Sequence, residues 1–200
     1  LPGHGESAGR YLTYGASEAR EVSGMLDALE ASGVSLGPVG AYGFSYGAAV
    51  AIDLASRDPR LRGVVAVSPF ASLREVIRDY RRKYVPALRF MPDGWFQQAV
   101  DDTAWFVGFD PDVSAPIRNI GASLAPTLLI HGDADTQVPL RHSQALAQAA
   151  AGRAKLLVLH GGTHESMPGD ATHRVREAAV AWFDAQLHQS TSAFGNQRPQ

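Results

Sequence analysis

Apolar residues recur through positions 17–32 as Ala19, Val22, Met25, Leu26 and Leu29. This three-to-four-residue repeat places them on one face and predicts an amphipathic helix from Ser17 to Ser32, closed by Gly33. The run Val39-Gly40-Ala41-Tyr42 lacks that period and predicts a short buried strand. An Ala-rich helix over about Tyr46–Ser56 follows it. Three further apolar runs read as buried strands: Val64–Val67 within Leu61–Val67, Thr127–Ile130 and Lys155–Leu159. Helices are predicted near Leu140–Ala150 and over Thr172–Gln186, the latter amphipathic through Val175, Ala178, Ala179, Trp182 and Phe183. Continuous apolar strands alternating with helices predict an α/β fold, a mostly parallel sheet with helices on both faces.

Residues 68–125 break the rhythm. They are rich in Arg, Pro and aromatics and contain no strand pattern, which predicts an insertion at about 70–124 within a domain spanning 1–187. The last residues, 188–200, are polar with Gly and Pro and predict a disordered tail.

Composition narrows the function classes. Among 200 residues there are 18 Lys and Arg against 20 Asp and Glu, a net charge of −2. That balance gives no electrostatic reason to expect nucleic acid or an acidic membrane as the main partner. Hydrophobic residues at 45% and charged residues at 19% exclude wholesale disorder. The absence of cysteine excludes disulfides, thiolate metal sites and a cysteine nucleophile. No apolar run approaches the roughly 18 residues of a membrane span, and no signal-peptide pattern opens the chain.

Candidate chemistry begins at Gly43-Phe44-Ser45-Tyr46-Gly47, where a predicted strand becomes a helix. Glycines two before and two after a serine permit a sharp, strained turn that exposes the hydroxyl at a helix N-terminus. A hydroxyl nucleophile needs a base, and the base needs an orienting acid. The third strand runs into His131-Gly132-Asp133-Ala134-Asp135-Thr136-Gln137-Val138-Pro139, and the fourth into His160-Gly161-Gly162-Thr163-His164. In a parallel sheet these strand ends share one edge, where sites of open α/β folds form. Either Asp133 or Asp135 could supply the acid. A metal site is the competing reading of His131, His160, His164 and two Asp, but their spacing lacks the helical His-Glu-x-x-His pattern. His4, His131 and His160 are expected to serve loop and strand-end structure.

Together with Pro2-Gly3-His4-Gly5-Glu6-Ser7 at the start, these motifs resemble the α/β-hydrolase superfamily over nearly the whole chain. Among its members, the sequence is most similar to serine aminopeptidase, monoacylglycerol-lipase and dienelactone-hydrolase-like proteins. The resemblance implies an α/β-hydrolase fold and the triad Ser45, Asp135 and His164. Its D-x-x-V-P pattern selects Asp135, leaving Asp133 to brace the turn. It also implies the Tyr46 backbone N–H as one oxyanion donor. Hydrolysis of a carboxylic ester through an acyl-Ser45 intermediate is then the expected activity on a small-molecule ester or acyl substrate. Peptide or amide cleavage is the alternative, and a non-catalytic binding protein of the same fold is the alternative from another class. No cofactor or metal is implied, and a cytoplasmic location is the default.

The resemblance sets two further expectations. It places Pro2-Gly3-His4-Gly5 after the fourth strand of the family fold, so the first strands, the second oxyanion donor and any targeting signal would precede Leu1. At least two strand–connection units, roughly 60–100 residues, would be missing, with the edge of the Ser45 strand left bare. It also makes the insertion a lid. Its Leu73, Val76, Ile77, Tyr80 and Tyr84 form one helical face, while Arg74, Arg78, Arg81 and Arg82 form a face expected to be solvated. Trp95, Trp105 and Phe106 are the candidate substrate-binding residues, with the insertion's own core as the other reading.

Overall fold

The apolar runs build the sheet, and their side-chain alternation divides the core in two. In a computed structural model that describes residues 6–7, 11–168 and 172–187, the strands are β1 (Val39–Phe44), β2 (Leu61–Val67), β3 (Thr127–Gly132) and β4 (Ala154–Leu159). They pair in parallel in the order β1-β2-β3-β4. Every residue of β3, and every residue of β2 except Arg62, is buried, which explains why these two runs are continuously apolar.

Helices α1 (Glu18–Ala31), α2 (Tyr46–Ala55) and α6 (Arg141–Ala149) lie on one side, and α7 (Thr172–Leu187) on the other. Val64, Ala66 and Leu129 turn toward the first group and meet Ile52, Leu54 and Leu146. Their strand neighbours Val65, Leu128 and Ile130 turn the other way, onto Val175 and Ala179 of α7 and onto Met167. Burial of each such Val, Leu or Ile contributes about 1.5–3 kcal/mol. Arg60 ties α1 to the turn before β2 through Asp58 at 2.6 Å and Glu30 at 2.8 Å.

The excursion between β2 and β3 contains α3 (Leu73–Tyr84), a 3-10 turn (Pro86–Phe90), α4 (Asp93–Val107) and the short α5 (Pro116–Asn119). It holds no strand among the described residues, as its pattern predicts. Its basic face is only partly solvated: Arg82 is exposed, whereas Arg74 and Arg81 are paired. Arg74 pairs with Asp101 at 2.6 Å on α4 and with Asp112 at 2.7 Å. Arg81 is buried, donates to Asp93 at 2.6 Å and lies over the Phe96 ring. The charges therefore clamp α3 to α4, a role the pattern could not show because their acidic partners lie 12–38 residues downstream. The excursion also ends earlier than its composition suggests: α5 packs on α2 and α6, and Ile120 joins the main core.

Met25 and Leu29 of the predicted α1 face remain exposed. Among the described residues β1 is an outer strand, and its free edge and Tyr42 border an apolar groove with Val22, Met25 and Leu26. The loop Pro2-Gly3-His4-Gly5 and the tail 188–200 lie outside the described residues, so the expectations placed on them have no structural counterpart.

Candidate active site

Strand register brings the chemistry together. Phe44 is level with Val67, Val67 with Ile130, and Gly132 with Leu159. The segments that leave these strand ends therefore emerge on one edge of the sheet. Ser45 occupies the turn from β1 into α2 with φ 51° and ψ −114°. For a non-glycine residue this geometry stores about 1–3 kcal/mol of strain. Two features hold it. Ser45 N–H donates to the Val67 carbonyl at 2.8 Å. Gly43 lies so near Gly47 that a Cβ at 43 would collide with the Gly47 carbonyl. The first glycine of the motif is thus required by the close approach of strand and helix.

His164 Nδ1 lies 2.7 Å from Asp135 Oδ2, and His164 Nε2 lies 3.0 Å from Ser45 Oγ. With Nδ1–H donated to the carboxylate, Nε2 is the acceptor for the serine hydroxyl. His164 and Asp135 are buried, and the Phe44 ring packs against the imidazole at 4.8 Å. Asp135 Oδ1 accepts backbone N–H bonds from Gln137 at 2.9 Å and Val138 at 2.8 Å. Burial acts to raise its pKa, but donation from His131, His164 and the Val138 N–H outweighs that and holds the carboxyl well below the usual carboxylate range. The carboxylate is therefore ionised at neutral pH and can stabilise a charged imidazole.

Asp133 takes a different place. Its oxygens accept from Gly161 N–H at 2.7 Å and from His160 Nδ1 at 2.8 Å, so it joins the loop after β3 to the loop after β4. Gly132 lets these loops meet, since a Cβ there would strike the Gly162 backbone, and Ala134 N–H donates to the Gly162 carbonyl at 3.0 Å.

His142 and Lys83 carried no sequence signal, and His131 was expected only to serve strand-end structure. His131 is fully buried, with Nε2 2.7 Å from the Val138 carbonyl, Nδ1 2.7 Å from Ser143 Oγ, and Nε2 3.5 Å from Asp135. It pins the turn that carries the acid. His142 Nδ1 accepts from Ala71 N–H at 3.2 Å while its Nε2–H donates to Asp79 at 2.8 Å. Burial lowers its pKa against the opposing pull of Asp79, and the ring fastens α3 to α6. Lys83 Nζ donates to Thr136 Oγ1 at 2.8 Å, a second tie from α3 to the acid turn.

Tyr46 opens α2, so its backbone N–H stands at the helix N-terminus directly after Ser45. Its ring meets the Tyr14 ring edge-on at 5.7 Å. Tyr14 in turn lines a cavity of about 340 Å³ between α3 and α4, with Leu12, Leu73, Ile77, Phe96 and Val100. Trp95, Trp105 and Phe106 are not among its lining residues. They lie 72%, 84% and 71% exposed on the outer face of α4. The helical period separates them from Phe96, Val100, Ala104 and Val107, which turn inward.

A four-stranded parallel sheet with this serine, histidine and aspartate at its strand ends defines an α/β-hydrolase-fold protein. The chain belongs to the alpha/beta hydrolase family, whose model matches residues 1–178. Solved structures agree on the fold. The Pyrococcus furiosus esterase Pf2001 superposes with a TM-score of 0.70 at 20% identity, over 92% of this chain and 68% of that one. A Mycobacterium tuberculosis puromycin-hydrolysing peptidase gives 0.65 at 18% identity, over 88% of this chain and 26% of that one. A Paleococcus ferrophilus monoacylglycerol lipase gives 0.59 at 20% identity, over 93% and 81%. No curated protein matches the sequence.

Proposed function

We propose that the protein is a serine hydrolase that cleaves a carboxylic ester through an acyl-Ser45 intermediate. The hydrogen-bonded series Ser45–His164–Asp135, with links of 3.0 and 2.7 Å on a strained turn, carries this reading. Ser45 Oγ attacks the acyl carbon as its proton passes to His164 Nε2. Asp135 holds the resulting imidazolium, and the developing oxyanion lies by the Tyr46 N–H. His164 then returns the proton to the leaving alkoxide. A water molecule, deprotonated by the same imidazole, releases the carboxylic acid and restores Ser45.

Ester cleavage is favoured over peptide cleavage by the cavity beside Tyr14. Its lining side chains are apolar apart from the Tyr14 and Thr103 hydroxyls, and none of them is a carboxylate suited to a substrate ammonium group. An uncharged acyl group fits such a surface. A peptidase neighbour of the same fold keeps amide cleavage as the competing assignment.

The test is covalent labelling with a fluorophosphonate, together with turnover of paired ester and anilide substrates. Labelling should map to Ser45 and vanish in Ser45→Ala. Asp135→Asn should lower the labelling rate about 10³–10⁴-fold, because the amide favours the wrong imidazole tautomer, whereas Asp133→Asn should change it only a few-fold. A folded protein that is not labelled favours the non-catalytic binding reading. Anilide turnover exceeding ester turnover would reassign the substrate class.

A further inference from the structure

Gly43 and Phe44 end β1 on opposite sides of the sheet. Gly43 faces α2, where a Cβ would meet the Gly47 backbone, so Phe44 turns toward α7. There it packs on a buried cluster that includes Val65, Val67 and Met167. The chain after β4 folds onto the same cluster. Met167 is fully buried, and its N–H reaches back to the His164 carbonyl at 3.4 Å. The two segments meet ring to ring. The Phe44 and His164 centroids are 4.8 Å apart, with their planes inclined at 42°.

The chemistry proposed above gives Phe44 no task, yet its ring lies where charge develops. Both imidazole nitrogens are occupied in the ring plane, Nδ1 by Asp135 at 2.7 Å and Nε2 by Ser45 at 3.0 Å. A third stabilising neighbour must therefore approach the face or a C–H edge of the imidazole. The face of a phenyl ring carries partial negative charge. It attracts a cation within about 6 Å of its centroid, most strongly where water is excluded. His164 is buried, so that condition holds. A neutral imidazole gains little from such a face. The imidazolium that forms when Ser45 gives up its proton gains much more.

We infer that Phe44 is a positioning residue for acyl transfer, its ring orienting the His164 imidazole and favouring the charged form that arises as Ser45 attacks. The inference rests on the serine-hydrolase reading. The imidazolium belongs to the transition state and not to the bound ground state. Losing the aromatic face should therefore lower kcat with little change in KM. It should also make the imidazole of the free protein harder to protonate. Asp135, with His131 at 3.5 Å from its carboxylate, and the Ser45 hydroxyl face His164 directly. Glu165, bonded to Gln137, follows His164, and Lys83 is bonded to Thr136. Asp133 and His160 pair with each other on the same two loops. None of these groups is altered in the variants below, so a shift belongs to the ring.

Phe44→Leu removes the aromatic face but keeps an apolar side chain, so the imidazole stays shielded from water. Replacing Phe44 by pentafluorophenylalanine keeps the ring and reverses the charge of its face. Both are compared with wild type, Phe44→Tyr and Ser45→Ala in the 200-residue chain. The readouts are the rate of fluorophosphonate labelling, kcat and KM for a p-nitrophenyl ester, the titration of His164 followed by NMR, and thermal unfolding. Phe44→Leu and the fluorinated protein should each lose about tenfold in kcat and labelling rate, with KM within about twofold. Their His164 midpoints should fall by about half a pH unit or more. Phe44→Tyr, which retains the face, should recover most of the loss. A folded fluorinated protein with the wild-type labelling rate and His164 midpoint would overturn the inference while leaving the serine assignment intact. So would a Phe44→Leu loss of activity with an unchanged midpoint, which marks a packing role only. Ester turnover that survives Ser45→Ala would instead overturn the serine assignment, and this inference with it.

Discussion

Asp53 shows how a single buried carboxyl shapes stability. It lies on the inner face of α2, 1% exposed, and accepts from Asn119 Nδ2 at 2.8 Å. Burial raises its pKa to about 6, against the opposing pull of Asn119 and Arg57. The folded state therefore holds this proton more tightly than the unfolded chain. Below about pH 3 both states are protonated and there is no penalty. As pH rises to about 6 the unfolded chain ionises first and stability falls, reaching a penalty of about 3 kcal/mol. Asp53→Asn removes that titration. Its melting temperature should gain on wild type between pH 4.5 and 7.5, and an equal difference at both pH values would contradict the assignment. At this scale Ser45 and His164 stand out in the sequence because each sits in a short motif at a strand end, and the resemblance through D-x-x-V-P points to Asp135. Glu18 was not legible. A glutamate in the first turn of a helix usually needs no partner beyond the helix dipole, whereas this one is fully buried and accepts from Thr13 and Gly15 in the turn before the helix.

At the scale of elements, α4 separates two readings that the sequence left level. Its aromatics divide between an outer face with Trp95, Trp105 and Phe106 and an inner face with Phe96. Under the proposed function the inner face meets the acyl group. Val100→Trp should therefore lower kcat/KM for an octanoate ester at least tenfold relative to an acetate ester, by filling the cavity. Trp105→Ala should leave that ratio within about twofold. The opposite pattern in the two variants would return the acyl site to the outer face. Helix existence could be read from periodicity, since Leu73, Val76, Ile77, Tyr80 and Tyr84 recur at helical spacing. Which face of α4 turned inward could not, because both faces carry large apolar residues and only packing against α3 and the Tyr14 segment chooses between them.

The sheet has two outer strands among the described residues, β1 and β4, and the β1 edge is the one beside an apolar groove. Tyr42 on β1 is 52% exposed and borders the groove shared with Val22, Met25 and Leu26. Open N–H and C=O groups beside apolar side chains favour strand addition between copies. The 200-residue chain is expected to self-associate at high concentration. Tyr42→Lys should reduce that, measured by light scattering, without changing the rate of Ser45 labelling. Unchanged association in the variant would shift attention to the exposed aromatics of α4.

Read alone, the sequence determined the four strands, the helices that cover them, and the order serine, aspartate, histidine along strand ends that must share an edge. Those features follow from local rules: side-chain period, turn-forming glycines and the direction of a parallel sheet. Tertiary structure alone decided which partners the buried polar and charged side chains found. It joined Arg74 and Arg81 to α4, His131 to the acid turn and His142 to Asp79. A buried charge must be paired wherever the fold brings a partner, and no period along the chain encodes which distant residue that will be.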